Sequence, residues 1–421
     1  MSSQKLQTLK GFRDFYPEDM AFQSWLYKNI KEVSESFGFQ EYEGPILEPL
    51  DLYAAKSGEE LVKKQAFTLK DKSNKLLALR PEMTPTLARM VAKKEGSLTF
   101  PIKWFTYGRR FRYETPQKGR GREFFQWDID ILGSENPLTD AEIIQIAATF
   151  YKKVGLTPSM VKIKINDRVF LQEKLASLGI LKEKTFSIFK TIDKKNKVNA
   201  KEFEEMLNDS DLSKIQTDKL LSLLADKNSY KDSPWLVEIM KAVEKMGVSE
   251  YVEFDSTIVR GLDYYTRTVL EGWDIKGVFR SIWGGGRYDN LTMAVGGKTK
   301  IPGVGFAMGD MVLKELLITN NKYPKLQISK TQVLVTVFNS DLLSKSIDVS
   351  RKLRGSGINT EIYPEDSIRL DKQLKYADKK GIPYVVIIGP EEIETKTITL
   401  KNLKTKEQTK TSFENLVSLV K

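Results

Sequence analysis

The chain has 421 residues without a cysteine or a histidine, so Ser-His and Cys-His nucleophiles are excluded, as are the imidazole and thiolate ligands that zinc, copper and iron sites need. What remains is chemistry by positioning and charge, with arginines, carboxylates, tyrosines and a hard cation such as magnesium arranged around developing negative charge, which fits phosphoryl or nucleotidyl transfer. With 67 basic against 56 acidic residues the net charge is +11, which favours a polyanionic partner, nucleic acid before membrane; with no long apolar run and no leader, a cytoplasmic location is expected.

In chain order, Phe22, Leu26, Ile30, Val33 and Phe37 recur at three- and four-residue spacing and predict an amphipathic helix. Strand-like runs follow at Leu76–Leu79, Lys103–Tyr107 and Phe124–Leu132. Strands and helices mixed in this order predict a largely antiparallel sheet over residues 1–166, an α+β arrangement rather than repeated βαβ units. Residues 167–250 turn lysine-rich and helical in period, with Leu220, Leu221, Leu223 and Leu224 as an apolar face, and read as a helical insertion. Glycine-rich strand character returns over 251–325 and is expected to rejoin the first sheet. After the Asn-Asn-Lys-Tyr-Pro linker, residues 326–421 alternate strand and helix: Val333–Phe338, a helix through Leu353, Thr360–Tyr363, a helix through Ala377, and Tyr384–Ile388. That order predicts a small α/β domain with a parallel sheet, and its first turn, FNSD, lacks a dinucleotide fingerprint.

The densest chemistry lies between Tyr107 and Asp130, YGRRFRYETPQKGRGREFFQWDID. Arg112 and Glu114, two apart, would share a face of an extended strand, where an arginine fork grips phosphate and a carboxylate accepts from an amine. Pro116 and Gly119 mark the turn, and Phe124, Gln126, Asp128 and Asp130 alternate on one face of the returning strand. Four more segments match it in kind: RPEMTPT at Arg80–Thr86, RGLDYYTRT at Arg260–Thr268, GGGRYD at Gly284–Asp289 and PGVGFAMG at Pro302–Gly309. Taken singly they read as a capped turn, a tyrosine-bearing strand, a tight turn and a close-packed helix start. Their conjunction in this order is the informative feature.

On these segments the chain resembles the histidyl-tRNA synthetases, a class II aminoacyl-tRNA synthetase family, over nearly its whole length. GFRDFYP and Gly44-Pro45 resemble the N-terminal region and motif 1, which builds the family's dimer interface. YGRRFRYE with GRGREFFQWDID resembles motif 2, RGLDYYTRT and GGGRYD resemble the two histidine-specific segments, and LKYADKKGIPYVVIIG resembles the anticodon-binding domain. The resemblance implies a class II antiparallel catalytic sheet and ATP-dependent formation of histidyl-adenylate. It also implies transfer of histidine to the 3′ end of tRNA(His), magnesium carried with ATP, and a homodimer. It gives Arg112 and Arg260 the catalytic roles of neutralising charge at the α-phosphate. Glu82, Met83, Thr84, Arg112, Gln126, Asp130, Arg260, Tyr264, Tyr265 and Tyr288 are implied to bind histidine, Asp130, Tyr265 and Tyr288 at the imidazole. Arg112, Glu114, Arg120, Phe124 and Arg260 are implied to bind ATP, with no metal held by the protein alone.

One segment departs from the pattern. After GFAMG the family's motif 3 continues into a helix bearing an arginine, whereas this chain reads Asp310-Met311-Val312, leaving Arg287, Lys298 or Lys314 as candidate substitutes. The departure keeps a second reading open, a synthetase-like regulatory subunit that binds histidine without charging tRNA. Against it stand Arg112, Arg260 and the complete C-terminal domain, which such paralogues commonly lack.

Overall fold

The structure, a computed structural model, describes residues 6–54, 65–210, 212–259, 264–279, 281–366 and 368–420. The chain folds as two compact units, the second formed by the residues from Lys325 onward together with Pro17–Ala21. In chain order the strands of the first unit are β1 (Gln40–Glu41), β2 (Leu47–Pro49), β3 (Phe67–Lys70), β4 (Leu76–Leu79), β5 (Ile102–Phe111), β6 (Glu123–Leu132), β7 (Val161–Asp167), β8 (Val252–Phe254), β9 (Thr268–Asp274), β10 (Trp283–Tyr288) and β11 (Gly303–Gly309). Eight of them form one sheet in the order β1-β5-β6-β11-β10-β9-β7-β8. It is antiparallel except for the parallel edge pairs β1–β5 and β7–β8. A smaller sheet, β2-β4-β3, accompanies it.

Alternation along the central strands separates two faces. On one, Trp127 meets Phe150 of the helix Pro137–Lys153 at 5.1 Å between ring centroids and Phe306 of β11 at 4.9 Å. Ile143, Ile146 and Ala147 of the same helix are fully buried, and this side is the core. The other face of β6 carries Gln126, Asp128 and Asp130, and their partners across β11 are Gly309, Ala307 and Gly305. Small residues opposite large polar ones leave open space above the sheet, and that space is the site.

The glycines of GGGRYD lie in strand β10 and not in a tight turn. A Cβ on Gly285 would stand 2.3 Å from the Gly305 carbonyl oxygen, and one on Gly286 2.4 Å from that of Thr268. They serve close strand packing, one of the recognised uses of glycine inside a sheet. The helix expected from Phe22 to Phe37 spans Pro17–Ser36 and buries Phe22, Leu26, Ile30 and Val33, with Phe37 as its C-cap.

Residues 168–245 supply five α-helices of eight residues or more, beginning with Arg168–Ser177 and ending with Pro234–Lys245. Leu171, Leu175, Ile188, Phe189, Phe203, Leu207, Leu220 and Leu224 form the shared core of the first four, while Leu221 and Leu223 are only partly buried against it. Reciprocal capping boxes at Asn199–Glu202 and Ser213–Gln216 start two of these helices, each satisfying two otherwise unpaired backbone donors.

In the second unit β12 (Val333–Val335), β13 (Thr360–Ile362), β14 (Tyr384–Ile387), β15 (Ile398–Asn402) and β16 (Gln408–Thr411) form a sheet ordered β13-β12-β14-β15-β16. The first three are parallel, joined through the helices Leu343–Gly355 and Leu370–Lys379, as the βαβαβ pattern predicts. β15 and β16 add antiparallel strands that the sequence pattern does not separate. No described helix is long and apolar enough to cross a membrane.

Candidate active site

A cavity of about 410 Å³ opens above β6, β10 and β11. Eleven of the residues singled out from sequence line it: Glu82, Thr84, Arg112, Glu114, Arg120, Phe124, Gln126, Asp130, Tyr264, Tyr265 and Tyr288. They come from four separate stretches of chain, which only the fold brings together.

One end is a loop structure. β5 stops at Phe111, so Arg112 and Glu114 stand beyond the strand and not on it. Arg112 is held by its Nε, which donates to the Pro81 carbonyl at 2.9 Å, and its guanidinium lies 5.4 Å from the centre of the Phe124 ring. Arg120 pairs with Glu114 at 3.4 Å, and the guanidinium of Arg122 lies 4.0 Å from the centre of the Tyr113 ring. Gly119, at φ +77°, makes the turn; a Cβ there would meet Val312 Cγ2 at 3.1 Å, and one on Gly121 would meet Met311 Sδ at 3.1 Å. The hairpin loop therefore rests on the first turn of the helix Asp310–Thr319.

The other end is built on the sheet. Tyr288 donates its hydroxyl to Asp130 Oδ1 at 2.5 Å, and Tyr264 donates to Glu82 Oε2 at 3.2 Å. The Tyr264 ring stands edge-on to Tyr288, 6.1 Å between centroids. Burial pushes the Asp130 carboxyl up to about 8, opposed by the Tyr288 hydrogen bond and aided by the charge of Asp128. The Tyr288 hydroxyl is raised well above its ordinary value by burial and then by Asp130. A Cβ on Gly305 would lie 2.1 Å from Asp130 Oδ1, so only glycine leaves the carboxylate its place.

Three expectations need correction or restriction. Met83 does not line the cavity: it is fully buried in the cluster around Tyr42, Leu87 and Val91, and its Sδ receives Arg80 Nη1 at 3.8 Å. Arg260 lies outside the described residues, as do Gly261, Leu262 and Asp263 of the same segment. None of the three candidate substitutes for the motif 3 arginine lines the cavity. Arg287 is 2 % exposed and bonded to Asp140, the Ser134 carbonyl and Thr139; Lys298 is exposed, its backbone amide on Glu95; Lys314 lies 5.4 Å from the Phe22 ring. In the departing segment Met311 and Val312 themselves line the cavity. Asp310 is buried and accepts from Arg13 at 3.1 Å, Gln23 at 2.8 Å and the Phe125 amide at 3.0 Å, so the acid ties the N-terminal segment to the start of β6.

Sequence reasoning assigned no role to Asp128, Gln65 or Met311, all of which line the cavity. The alternation on β6 already placed Asp128 on the correct face. Gln65 and Met311 carried no comparable signal. Among the described residues no group of three or more carboxylates is placed to hold a metal ion.

The family model for histidyl-tRNA synthetase matches residues 11–312, and that for an anticodon-binding domain matches residues 332–421. The chain is 37% identical over 439 aligned residues to a histidine–tRNA ligase of Leptospira biflexa, covering 100% of this chain and 99% of that one. Among solved structures, histidyl-tRNA synthetase from Nostoc sp. PCC 7120 superposes with a TM-score of 0.84 at 26% identity, covering 99% of each chain. A chain from Bacillus halodurans C named as an ATP phosphoribosyltransferase regulatory subunit/histidyl-tRNA synthetase superposes with a TM-score of 0.74 at 21% identity, over 89% of this chain and 97% of that one. At that identity it speaks for the fold alone. A matching catalytic family model, a matching anticodon-binding model and full-length relatives agree with the cavity's residues, and the chain belongs to the histidyl-tRNA synthetase family of class II aminoacyl-tRNA ligases.

Proposed function

We propose that this one cavity activates histidine with MgATP and then passes it to tRNA(His), its two ends dividing the substrates. The observation that carries the reading is the continuity of the cavity from the buried Asp130–Tyr288 pair to the half-buried Arg112 and Glu114 and the exposed Arg120. The histidine ring lies at Asp130, Tyr265 and Tyr288, with its ammonium and carboxylate toward Glu82, Thr84 and Gln126. Adenine stacks on Phe124 beside Glu114, and the outer phosphates reach Arg120. Magnesium enters as part of the nucleotide substrate, held through the phosphates.

The histidine carboxylate attacks the α-phosphorus, pyrophosphate leaves, and the 3′-terminal ribose hydroxyl of tRNA then takes the histidyl group with release of AMP. No protein nucleophile enters either step, in accord with a chain lacking cysteine and histidine. Arg112 neutralises charge on the pentacoordinate phosphorus, fixed in advance by the Pro81 carbonyl. Arg260 shares that role by its place in the histidine-specific segment. Residues 1–166 and 251–325 form the catalytic domain, 167–250 the helical insertion and 326–421 the anticodon-binding domain of a cytoplasmic homodimer.

The test is ATP–pyrophosphate exchange with purified protein, each of the other amino acids serving as a control, followed by charging of tRNA. Exchange with histidine alone supports adenylate formation without a motif 3 arginine. Histidine binding without exchange would move the reading to the regulatory subunit.

A further inference from the structure

Asp128 stands between Gln126 and Asp130 on the cavity face of β6, lines the cavity and is 2 % exposed. Its Oδ2 accepts from Arg110 Nη2 at 2.8 Å, both side chains being buried. Its other oxygen, Oδ1, is buried without a hydrogen-bond partner. Buried arginine–carboxylate pairs are commonly bidentate, and an unmatched buried acceptor is costly. Here the pair uses one oxygen, and the neighbour across β11 is Ala307, whose side chain offers no donor. Two further buried polar atoms close by, Gln126 Oε1 on the same strand and the Tyr42 hydroxyl, also have no partner. Burial raises the Asp128 carboxyl and Arg110 opposes it, with Arg80 and Arg112 adding to the opposition.

We infer that Asp128 is a specificity-determining residue for the amino-acid ring, its uncommitted Oδ1 giving, beside Asp130, a second carboxylate acceptor for ring N–H donors. The inference rests on the reading that the imidazole occupies the Asp130–Tyr288 end. A protonated imidazole has two N–H groups on opposite flanks, and acceptors bonded to both stand about 7 Å apart at ordinary hydrogen-bond lengths. Alternate residues of a strand are spaced about 6.7 Å along one face, which matches Asp128 and Asp130. The added proton has a source in the site: Asp130, raised to about 8, holds one at neutral pH when the cavity is empty and can pass it to the ring. A neutral ring would leave one of the two acceptors unpaired.

The experiment compares binding of histidine and of 1,2,4-triazolylalanine by titration calorimetry, in the wild type and in Asp128→Asn. The triazole ring has the same size and is far less basic, so it stays neutral. The wild-type preference for histidine should fall about tenfold or more in Asp128→Asn, the span expected for one charge-assisted hydrogen bond, while MgATP affinity is unchanged. A structural role alone would weaken both ring compounds equally and leave their ratio as it was, which overturns the inference. Should Asp128→Asn fail to fold because Arg110 loses its partner, Asp128→Glu keeps the charge, displaces the free oxygen and must show the same fall in the ratio. A wild type that binds no histidine removes the proposed function as well, so the two failures are distinguishable.

Discussion

The two ends of the cavity solve recognition by opposite means. At the ring end, Asp130 and Tyr288 sit on central strands, buried, bonded to each other and fixed by the register of β6 on β11 on β10. At the nucleotide end, Arg120 and Glu114 stand on a loop, and their side chains are 48 and 20 % exposed. A sheet holds its groups rigid and dry, which favours selecting one ring; a loop leaves them wet and adjustable, which favours binding and releasing a large anion.

Arg112 joins the two ends, and Arg112→Ala should have the largest effect. Loss of one positioned charge at the reacting phosphorus predicts a fall of about 10²- to 10³-fold in the exchange rate, with histidine binding by calorimetry weakened far less. An equal loss of histidine binding would show that Arg112 belongs to the ring end instead. Asp130→Ala should come next, raising the histidine requirement in exchange by about 30-fold or more, from the 2 to 5 kcal/mol typical of a broken buried charged contact. The ATP requirement should move little, and equal effects on both would erase the division between the ends.

A third prediction uses stability in the absence of ligand. The Asp130 carboxyl has an ordinary value of 3.8 and stands at about 8 in the folded chain. Between those values the unfolded chain has released the proton that the folded chain still holds. Stability from this group is complete below 3.8 and is lost as pH rises toward 8, at no more than about 1.4 kcal/mol per pH unit. Asp130→Asn lacks this slope, so urea midpoints should increasingly favour the variant as pH rises across the window, with the difference constant above it. Parallel midpoints at every pH would contradict the assignment. The smallest effect belongs to the loop: Arg120→Ala, losing a half-exposed and screened cation, should raise the MgATP requirement by about three- to tenfold, more at low salt than at high.

The same contrast explains what could be read from sequence. Alternation from Phe124 to Asp130 is local, so the strand, its face and the side chains it offers are all legible in the order of the residues. The first helix and the βαβαβ start of the second unit are legible for the same reason. Arg287 is not, because its partner Asp140 is 147 residues away and nothing local marks an arginine as buried. The motif alone does not show that Met83, just before the helix Thr84–Lys94, turns its side chain into the core while Glu82 and Thr84 face the cavity. The glycines of β10 can be read as a turn from composition alone, since their use in strand packing depends on Gly305 and Thr268 coming close. The substitution of Asp310 for the expected pattern becomes intelligible only through Arg13 and Gln23, nearly three hundred residues earlier, which donate to its carboxylate.

Gly305 also sets a boundary for anyone redesigning the amino-acid preference. Because a single methyl group there would collide with Asp130 Oδ1 and the Ile129 carbonyl, a library that varies Gly305 alone samples mostly misfolded chains. Useful diversity lies in coupled changes across β6 and β11, whereas the exposed hairpin positions Gln117, Lys118 and Arg120 can be varied one at a time to adjust nucleotide handling without disturbing which ring is chosen.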